Sequence, residues 1–128
     1  MSAITVIHSE QAPKAVGPYS QAVASGGVLY ASGQIGLLPG EGRLAGDDVA
    51  SQARQVTANL SAVLAEAGVA TGDILKVNIF LTDMADFPLV NDIYADWLGE
   101  HRPARATVAV AALPLGAKVE MDLIARSA

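Results

Sequence analysis

The feature that most constrains how this chain can fold is a change of hydrophobic period near its centre. From Asp48 to Ala67 the apolar residues recur at alternating steps of four and three, which places them along one stripe of an α-helix. An aspartate can cap the start of this helix, and Gly68 can form its left-handed end. From Leu75 to Thr82 the period falls to two, as expected of a β-strand. The chain therefore has to pack a helix against a sheet.

The flanking segments complete an α+β pattern. Near Asp86 a second helix begins, with Pro88 in its first turn, and Gly99 ends it. Glycine and proline steps separate short β-prone pieces in the rest of the chain. We predict a single domain over residues 1–128, with two α-helices packed on one face of a mixed β-sheet. Its further strands are predicted at Thr5–His8, Val28–Ser32, around Ile35–Leu38, about Ala106–Ala111 and about Lys118–Ala125.

Two helices leave the other face of such a sheet uncovered. Strand parity predicts that this face carries Ala31, Phe80, Ala109 and Ile124. A monomer rarely exposes so much contiguous apolar surface, so we predict a homo-oligomer in which sheet faces are buried together. A cleft between subunits is then a natural place for a small-molecule site.

Composition removes several classes of function. Eight Lys and Arg residues face thirteen Asp and Glu residues, and the net charge of -5 makes nucleic acid an improbable partner. The chain has no cysteine, which rules out thiol chemistry and disulfides. His8 and His101 have no ligand spacing around them, so we expect no metal. No apolar run approaches the ~20 residues that span a bilayer, and we expect a cytoplasmic protein that does not bind a membrane.

Few polar residues are candidates for chemistry. Arg105 and Thr107 share one face of a predicted strand, and Glu120 and Asp122 share a face of the next. One interpretation is an exposed cross-strand ion pair between Arg105 and Glu120, worth less than about 1 kcal/mol. The other is an anion clamp beside a general acid or base, because a guanidinium matches a carboxylate in bidentate fashion. Spacing alone leaves both open.

Two further polar segments match no catalytic motif by themselves. Gly17-Pro18-Tyr19 is typical of a turn with a half-buried tyrosine, and Ser32-Gly33-Gln34 is typical of a turn at a strand end. Neither is a nucleophile elbow or a phosphate-binding loop. Together with other segments in the same order, however, they resemble the RidA (YjgF) family of reactive intermediate deaminases over almost the whole chain. The segments that carry the resemblance are Gly17–Ala22, Ser32–Ile35, Gln52–Gln55, Pro103–Arg105 and Val119–Met121, with Leu113-Pro114 between the last two.

The resemblance implies a chorismate-mutase-like α+β subunit assembled as a homotrimer, with ligand sites in the clefts between neighbours. Similar proteins hydrolyse 2-aminoacrylate, 2-aminocrotonate and their imine tautomers to 2-keto acids and ammonia. These compounds escape from pyridoxal-phosphate enzymes such as threonine dehydratase. No cofactor is implied. Family members have also been linked to non-catalytic ligand binding, chaperone-like holding, translation inhibition and RNA cleavage, which form the alternative interpretation.

The resemblance also implies catalytic roles for two residues. Arg105 would grip the substrate carboxylate, helped by the backbone N–H of Gly33, and Glu120 would position the attacking water. At position 107 the best-known members have a cysteine, and this chain has threonine. If that residue acts through its backbone carbonyl, Thr107 should serve, and its hydroxyl adds a hydrogen-bond acceptor.

Three more residues are implied to line the site. Tyr19 would form a wall of the cleft, and Ser32 and Asn91 would complete its polar lining. The segment between the second helix and Pro103 is short, which we expect to change the rim of the site and its substrate range.

Overall fold

A six-stranded sheet with two α-helices forms the body of the protein. The computed structural model describes residues 3–127. The predicted α+β class, with a mixed sheet and two helices, is confirmed. In chain order the elements are β1 (Thr5–Ile7), β2 (Ala22–Ser25), β3 (Val28–Ile35), α1 (Val49–Glu66), β4 (Ile74–Leu81), α2 (Phe87–Leu98), β5 (Ala104–Ala109) and β6 (Val119–Arg126).

The strands lie in the order β1-β2-β3-β6-β4-β5. The pair β4 and β5 is parallel, because α2 carries the chain back across the sheet between them. The other four pairs are antiparallel. The last strand, β6, therefore lies in the middle of the sheet, and β5 forms one of its edges.

The long helix α1 forms where the hydrophobic stripe predicts it. Its cap is Asp48, whose carboxylate accepts a hydrogen bond from the Ser51 N–H at 2.9 Å. Gly68 follows with φ 70°, the left-handed conformation expected at a helix end. The stripe packs on β3 and β6, where the core residues Leu29 and Met121 have no solvent exposure.

The strand β2 is absent from the sequence prediction. Gly26 and Gly27 both have positive φ, 60° and 80°, and join β2 to β3 in a tight hairpin. The strand itself has only four residues, mostly small ones, so it lacks a period that could be recognised. The strand predicted around Ile35–Leu38 is wrong beyond its first residue, since β3 ends at Ile35 and Leu37 forms one isolated bridge with Leu44.

The uncovered face carries two of its four predicted apolar residues, while the other two are wrong, and it also carries the polar residues Asn78, Glu120 and Asp122. Ala31 is 7% exposed and lies in the core beneath the helices. Ala109 pairs with Leu81, a core residue, and so also lies on the helix side. Both errors have one cause, because alternation shows which residues of a strand share a face but not which of the two faces packs under the helices. The uncovered face instead carries Tyr30 and Val108 beside the correctly predicted Phe80 and Ile124.

Within residues 3–127 the structure contains no helix with the length and apolarity needed to cross a bilayer.

The contact between α1 and the loop after β3 gives a stability prediction. A Cβ on Gly36 would lie 2.6 Å from the Gln52 carbonyl oxygen and 2.8 Å from its Cα, both of them backbone atoms that cannot rotate away. We expect Gly36→Ala to lower the free energy of unfolding by about 1–3 kcal/mol in urea denaturation. Gly72→Ala is the control, because a Cβ there meets no atom within 4 Å. Equal effects of the two substitutions would contradict the importance of this contact.

Candidate functional site

Arg105 is held in place by three residues of α2. Its Nη1 donates a hydrogen bond to Asn91 Oδ1 at 2.6 Å. Its Cζ lies 5.2 Å from the ring centroid of Phe87 and 5.1 Å from that of Tyr94, within the range of cation–π attraction. Phe87, Asn91 and Tyr94 follow each other at steps of four and three, which places them on one face of the helix. The guanidinium is therefore oriented before any ligand arrives.

This arginine opens onto a cavity of about 450 Å³ next to α2. Burial raises the pKa of the Tyr94 phenol, while the charges of Arg105 and Arg102 oppose that shift. The hydroxyls of Tyr94 and Thr107 are buried and have no hydrogen-bond partner among the described residues. The residues that line the cavity are Asn91, Tyr94, Ala95, Arg102, Pro103 and Arg105.

Glu120 lies on the uncovered face of the sheet, half-buried beside Gly33. A Cβ on Gly33 would lie 2.7 Å from Glu120 Oε2, so the carboxylate approaches the backbone as closely as it does only because residue 33 has no side chain. Burial raises the pKa of Glu120, and the carboxylate of Asp122 raises it further. A glutamate with a raised pKa is better suited to exchange protons with water near neutral pH.

A bulge in β3 presents Gly33 to this carboxylate. The pairing with β6 shifts register between Ala31 and Gln34, so Ser32 and Gly33 lie in an irregular stretch. The Ser32 hydroxyl donates to the Ser20 carbonyl at 2.6 Å, and its N–H donates to the Gln21 carbonyl at 2.9 Å. These bonds fasten the segment that follows Tyr19 to β3. The Tyr19 side chain itself is 52% exposed, more open than the half-buried tyrosine that the sequence predicts.

Arg105 and Glu120 lie on opposite faces of the sheet. The strand β4 separates β5 from β6, and in its register Val77 pairs with Arg105 while Phe80 pairs with Glu120. Val77 points into the core under the helices, whereas Phe80 points to the uncovered face. The cross-strand ion pair between Arg105 and Glu120 is therefore wrong, and no described residue forms a salt bridge with either of them.

The residues predicted for the site accordingly fall into two groups in one chain. The Arg105 group lies on the helix side of the sheet, and the Glu120 group lies around the bulge of β3 and the uncovered face. Sequence reasoning missed Phe87, Tyr94 and Arg102, although the spacing of the first two on α2 relative to Asn91 was available as a signal. The Arg105 group contains Asn91 and Thr107, and the Glu120 group contains Tyr19, Ser32 and Gly33.

The described residues can be compared with the ligand sets that metal ions require. The part of the chain that the structure describes contains no group of three or more His, Cys, Asp and Glu side chains close enough to hold an ion. The polar groups of the site are a guanidinium, a carboxylate, amides and hydroxyls. This set can bind an anion and move protons.

Comparison with known proteins gives consistent relatives. The family profile described as Endoribonuclease L-PSP matches residues 9–127. The chain is similar to the mouse protein named 2-iminobutanoate/2-iminopropanoate deaminase, with 44% identity over 94% of this chain and 89% of that protein. It is also similar to Protein DfrA of Myxococcus xanthus, with 50% identity over 94% of each chain.

Solved structures agree with these relatives. A crystal structure from Yersinia pestis, described as YyfA of the conserved Rid protein family, has a TM-score of 0.94 and 49% identity over 97% of this chain and 99% of that chain. The relatives share a fold and a family but carry different names. Their names alone therefore do not determine the reaction.

The environment of Glu120 predicts a pH-dependent effect on stability. The pKa of Glu120 is higher in the folded protein than in the unfolded chain. The protonated Glu120 side chain therefore makes its full contribution to stability below the unfolded-state pKa, and this contribution is lost as the pH rises through the folded-state pKa. We expect Glu120→Gln to become progressively more stable than the unmodified protein across that rise, measured by urea denaturation at a series of pH values. The exposed Glu66→Gln variant gives the baseline for removing one carboxylate. A gain for Glu120→Gln that shrinks with rising pH would contradict the raised pKa.

Proposed function

The chain belongs to the Endoribonuclease L-PSP family, which includes the RidA (YjgF) proteins, and from this premise we propose that it hydrolyses small imines and enamines that carry a carboxylate. The products would be 2-keto acids and ammonia, and 2-aminoacrylate, 2-aminocrotonate and their imine tautomers are the proposed substrates. The observation that carries the proposal is the state of Arg105. It is oriented by two aromatic rings and an amide, opens onto a cavity and has no carboxylate partner within residues 3–127.

Arg105 would bind the substrate carboxylate. A guanidinium has five N–H donors, and the bond to Asn91 uses one of them, which leaves donors for a bidentate contact. Asn91 then acts by positioning the arginine as well as by lining the cavity. Because the guanidinium is already held, binding requires little further ordering of the side chain, and orientation of a reactant can lower a barrier by several kcal/mol.

Glu120 would hold and deprotonate the attacking water. The water oxygen adds to the carbon of the protonated imine while Glu120 accepts a proton from the water. Glu120 then returns this proton to the nitrogen of the resulting carbinolamine and takes up the proton of its hydroxyl as the C–N bond breaks and the C=O bond forms. The 2-keto acid and ammonia are released, and the remaining proton passes from Glu120 to the ammonia, which leaves as ammonium. No electron is transferred and no carbanion forms, so none of these steps requires a cofactor.

The position of these two residues on opposite faces of one sheet supports a shared site. Within a chain the sheet itself separates Arg105 from Glu120, so a substrate could contact both only where the helix side of one subunit meets the uncovered face of another. The apolar side chains of that face supply surface for such a contact. We therefore propose a homotrimer with three sites, each formed by Arg105, Asn91 and Thr107 of one subunit and by Glu120, Gly33, Ser32 and Tyr19 of its neighbour.

The smaller contributions follow from the same arrangement. The N–H of Gly33 would assist Arg105 at the carboxylate, and Tyr19 would close the cleft as a wall. Ser32 would act through its bond to Ser20, which keeps the Tyr19 segment against β3. Thr107 would contact the water through its backbone carbonyl.

Since the proposed substrates decay quickly in water, we expect the protein in the cytoplasm beside the pyridoxal-phosphate enzymes that release them.

The alternative is a protein that cleaves RNA, which the description of the family profile favours, or one that binds ligands without catalysis. The net charge of -5 opposes contact with a phosphate backbone. A thermal-shift experiment separates the two. Stabilisation by 2-oxobutanoate favours the deaminase, and stabilisation by short RNA alone favours the alternative.

The direct test is a threonine dehydratase reaction in which semicarbazide traps the imine. We expect the protein to speed the formation of free 2-oxobutanoate, and Arg105→Ala to lower kcat/KM by about 100-fold, the effect of losing a charged bidentate contact of about 3 kcal/mol. Arg54→Gln is the matched control, because it removes one exposed arginine from α1, away from the cavity. An Arg105→Ala protein that is as active as the control would refute the assigned role.

Subunit mixing tests the shared site. Arg105→Ala and Glu120→Ala proteins should each have low activity, with Arg105→Ala at about 1% of the unmodified protein. When equal amounts are unfolded and refolded together, about one quarter of the sites in randomly assembled symmetric trimers should combine an intact Arg105 with an intact Glu120. We expect that fraction of the activity to return. A mixture whose activity stays low, although its assembly is normal by size-exclusion chromatography, would contradict a site built from two subunits.

A further inference from the structure

A second arginine lies in the wall of the Arg105 cavity, and the proposed reaction does not use it. Arg102 belongs to the short segment between α2 and β5. Its Nη1 donates a hydrogen bond to the carbonyl of Gly99, the C-cap of α2, at 2.6 Å and another to the carbonyl of the adjacent His101 at 2.9 Å. These bonds hold the guanidinium near the cavity and leave its other donors available to a ligand.

The two arginines act on the same interior group. Burial is the main influence on the pKa of Tyr94 and raises it, but Arg105 and Arg102 both act in the opposite direction. Each arginine is therefore close enough to Tyr94 for its charge to lower the pKa of the phenol. Neither forms a salt bridge with a carboxylate between residues 3 and 127, although acidic residues outnumber basic ones in the chain.

Two unpaired cations that share one cavity favour a ligand with two negative groups. Like charges repel, and a single carboxylate on Arg105 would leave Arg102 without a counter-charge from residues 3–127 of its own subunit. The buried Tyr94 hydroxyl also has no hydrogen-bond partner among the described residues, so a ligand in this cavity that accepts a hydrogen bond from it would offset the cost of burying an unpaired donor. The cavity volume of about 450 Å³ leaves room beyond a three- or four-carbon monocarboxylate.

We propose that Arg102 binds a second substrate carboxylate, so that the preferred substrates are imines and enamines of four- and five-carbon 2-keto dicarboxylic acids. The proposal rests on the proposed function, because it keeps Arg105 as the partner of the first carboxylate and the same hydrolytic reaction. It names Arg102 as the residue that determines specificity.

Binding of the product keto acids is the first test. Isothermal titration calorimetry on the intact protein should give about tenfold or greater preference for 2-oxoglutarate over 2-oxobutanoate, as expected for one additional charge-assisted contact of about 1.5 kcal/mol. Arg102→Gln should abolish most of this preference, and Arg102→Lys should retain part of it, since the charge remains and the planar fork is lost. Arg54→Gln, which removes the same charge elsewhere on the surface, should leave the preference unchanged.

Catalysis is the second test. Iminosuccinate released by an aspartate oxidase and 2-iminobutanoate released by threonine dehydratase are compared, and the ratio of the two kcat/KM values should fall about tenfold in Arg102→Gln. Equal affinity of the unmodified protein for both keto acids, or an equal loss for both in Arg102→Gln, overturns the proposal. If neither imine is hydrolysed but selective binding of 2-oxoglutarate depends on Arg102, the deaminase function fails and the dicarboxylate site stands. If both are hydrolysed with no preference, the deaminase function stands and this inference fails.

Discussion

The register of β4 between β5 and β6 is the constraint on which the candidate site depends. Alternate residues of a strand point to opposite faces, and the pairing of β4 with both neighbours carries this alternation across three strands. Arg105 is thereby assigned to the helix side and Glu120 to the uncovered side. No rotation of side chains can bring the two together through a packed sheet. Chemistry that needs both residues would therefore require the proposed assembly, to which each chain would contribute two separate parts of a site.

The helix α2 orients the arginines of the first group of site residues, the group around Arg105. One of its faces supplies Phe87, Asn91 and Tyr94, which hold Arg105 from three sides, and its C-terminal end supplies the carbonyl that holds Arg102. The same helix makes the parallel connection between β4 and β5. Topology and the proposed anion binding are thus linked, because the helix that connects β4 to β5 also orients both guanidinium groups. The second group, around Glu120, depends on a different feature, the bulge in β3 that lets a carboxylate lie against the backbone of Gly33.

Local patterns were sufficient for much of this fold. Both helices begin and end within about two residues of their predicted bounds, because their stripes, caps and glycine ends are written in consecutive residues. The strand order could not be predicted from local patterns, because pairing between strands that are distant in sequence depends on no local signal. This applies to the central position of β6 and to its separation from β5 by β4. The errors at Ala31 and Ala109 arose because parity groups the alternate residues of one strand but does not tell which group lies under the helices. Spacing could nominate Arg105 and Glu120, but it could not tell that one chain keeps them apart. No sequence pattern indicates a role for Arg102, because it lies in a loop with no regular periodicity and only the structure shows that it lines the cavity.

The division of the residues between two faces has a thermodynamic consequence. A ligand that contacts both groups binds only to associated subunits, so ligand binding and association must strengthen each other by the same factor. Apparent affinity would then fall on dilution, once the protein concentration approaches that at which the subunits separate. In a cell, the abundance of such a protein would determine the apparent affinity of its sites as well as their number.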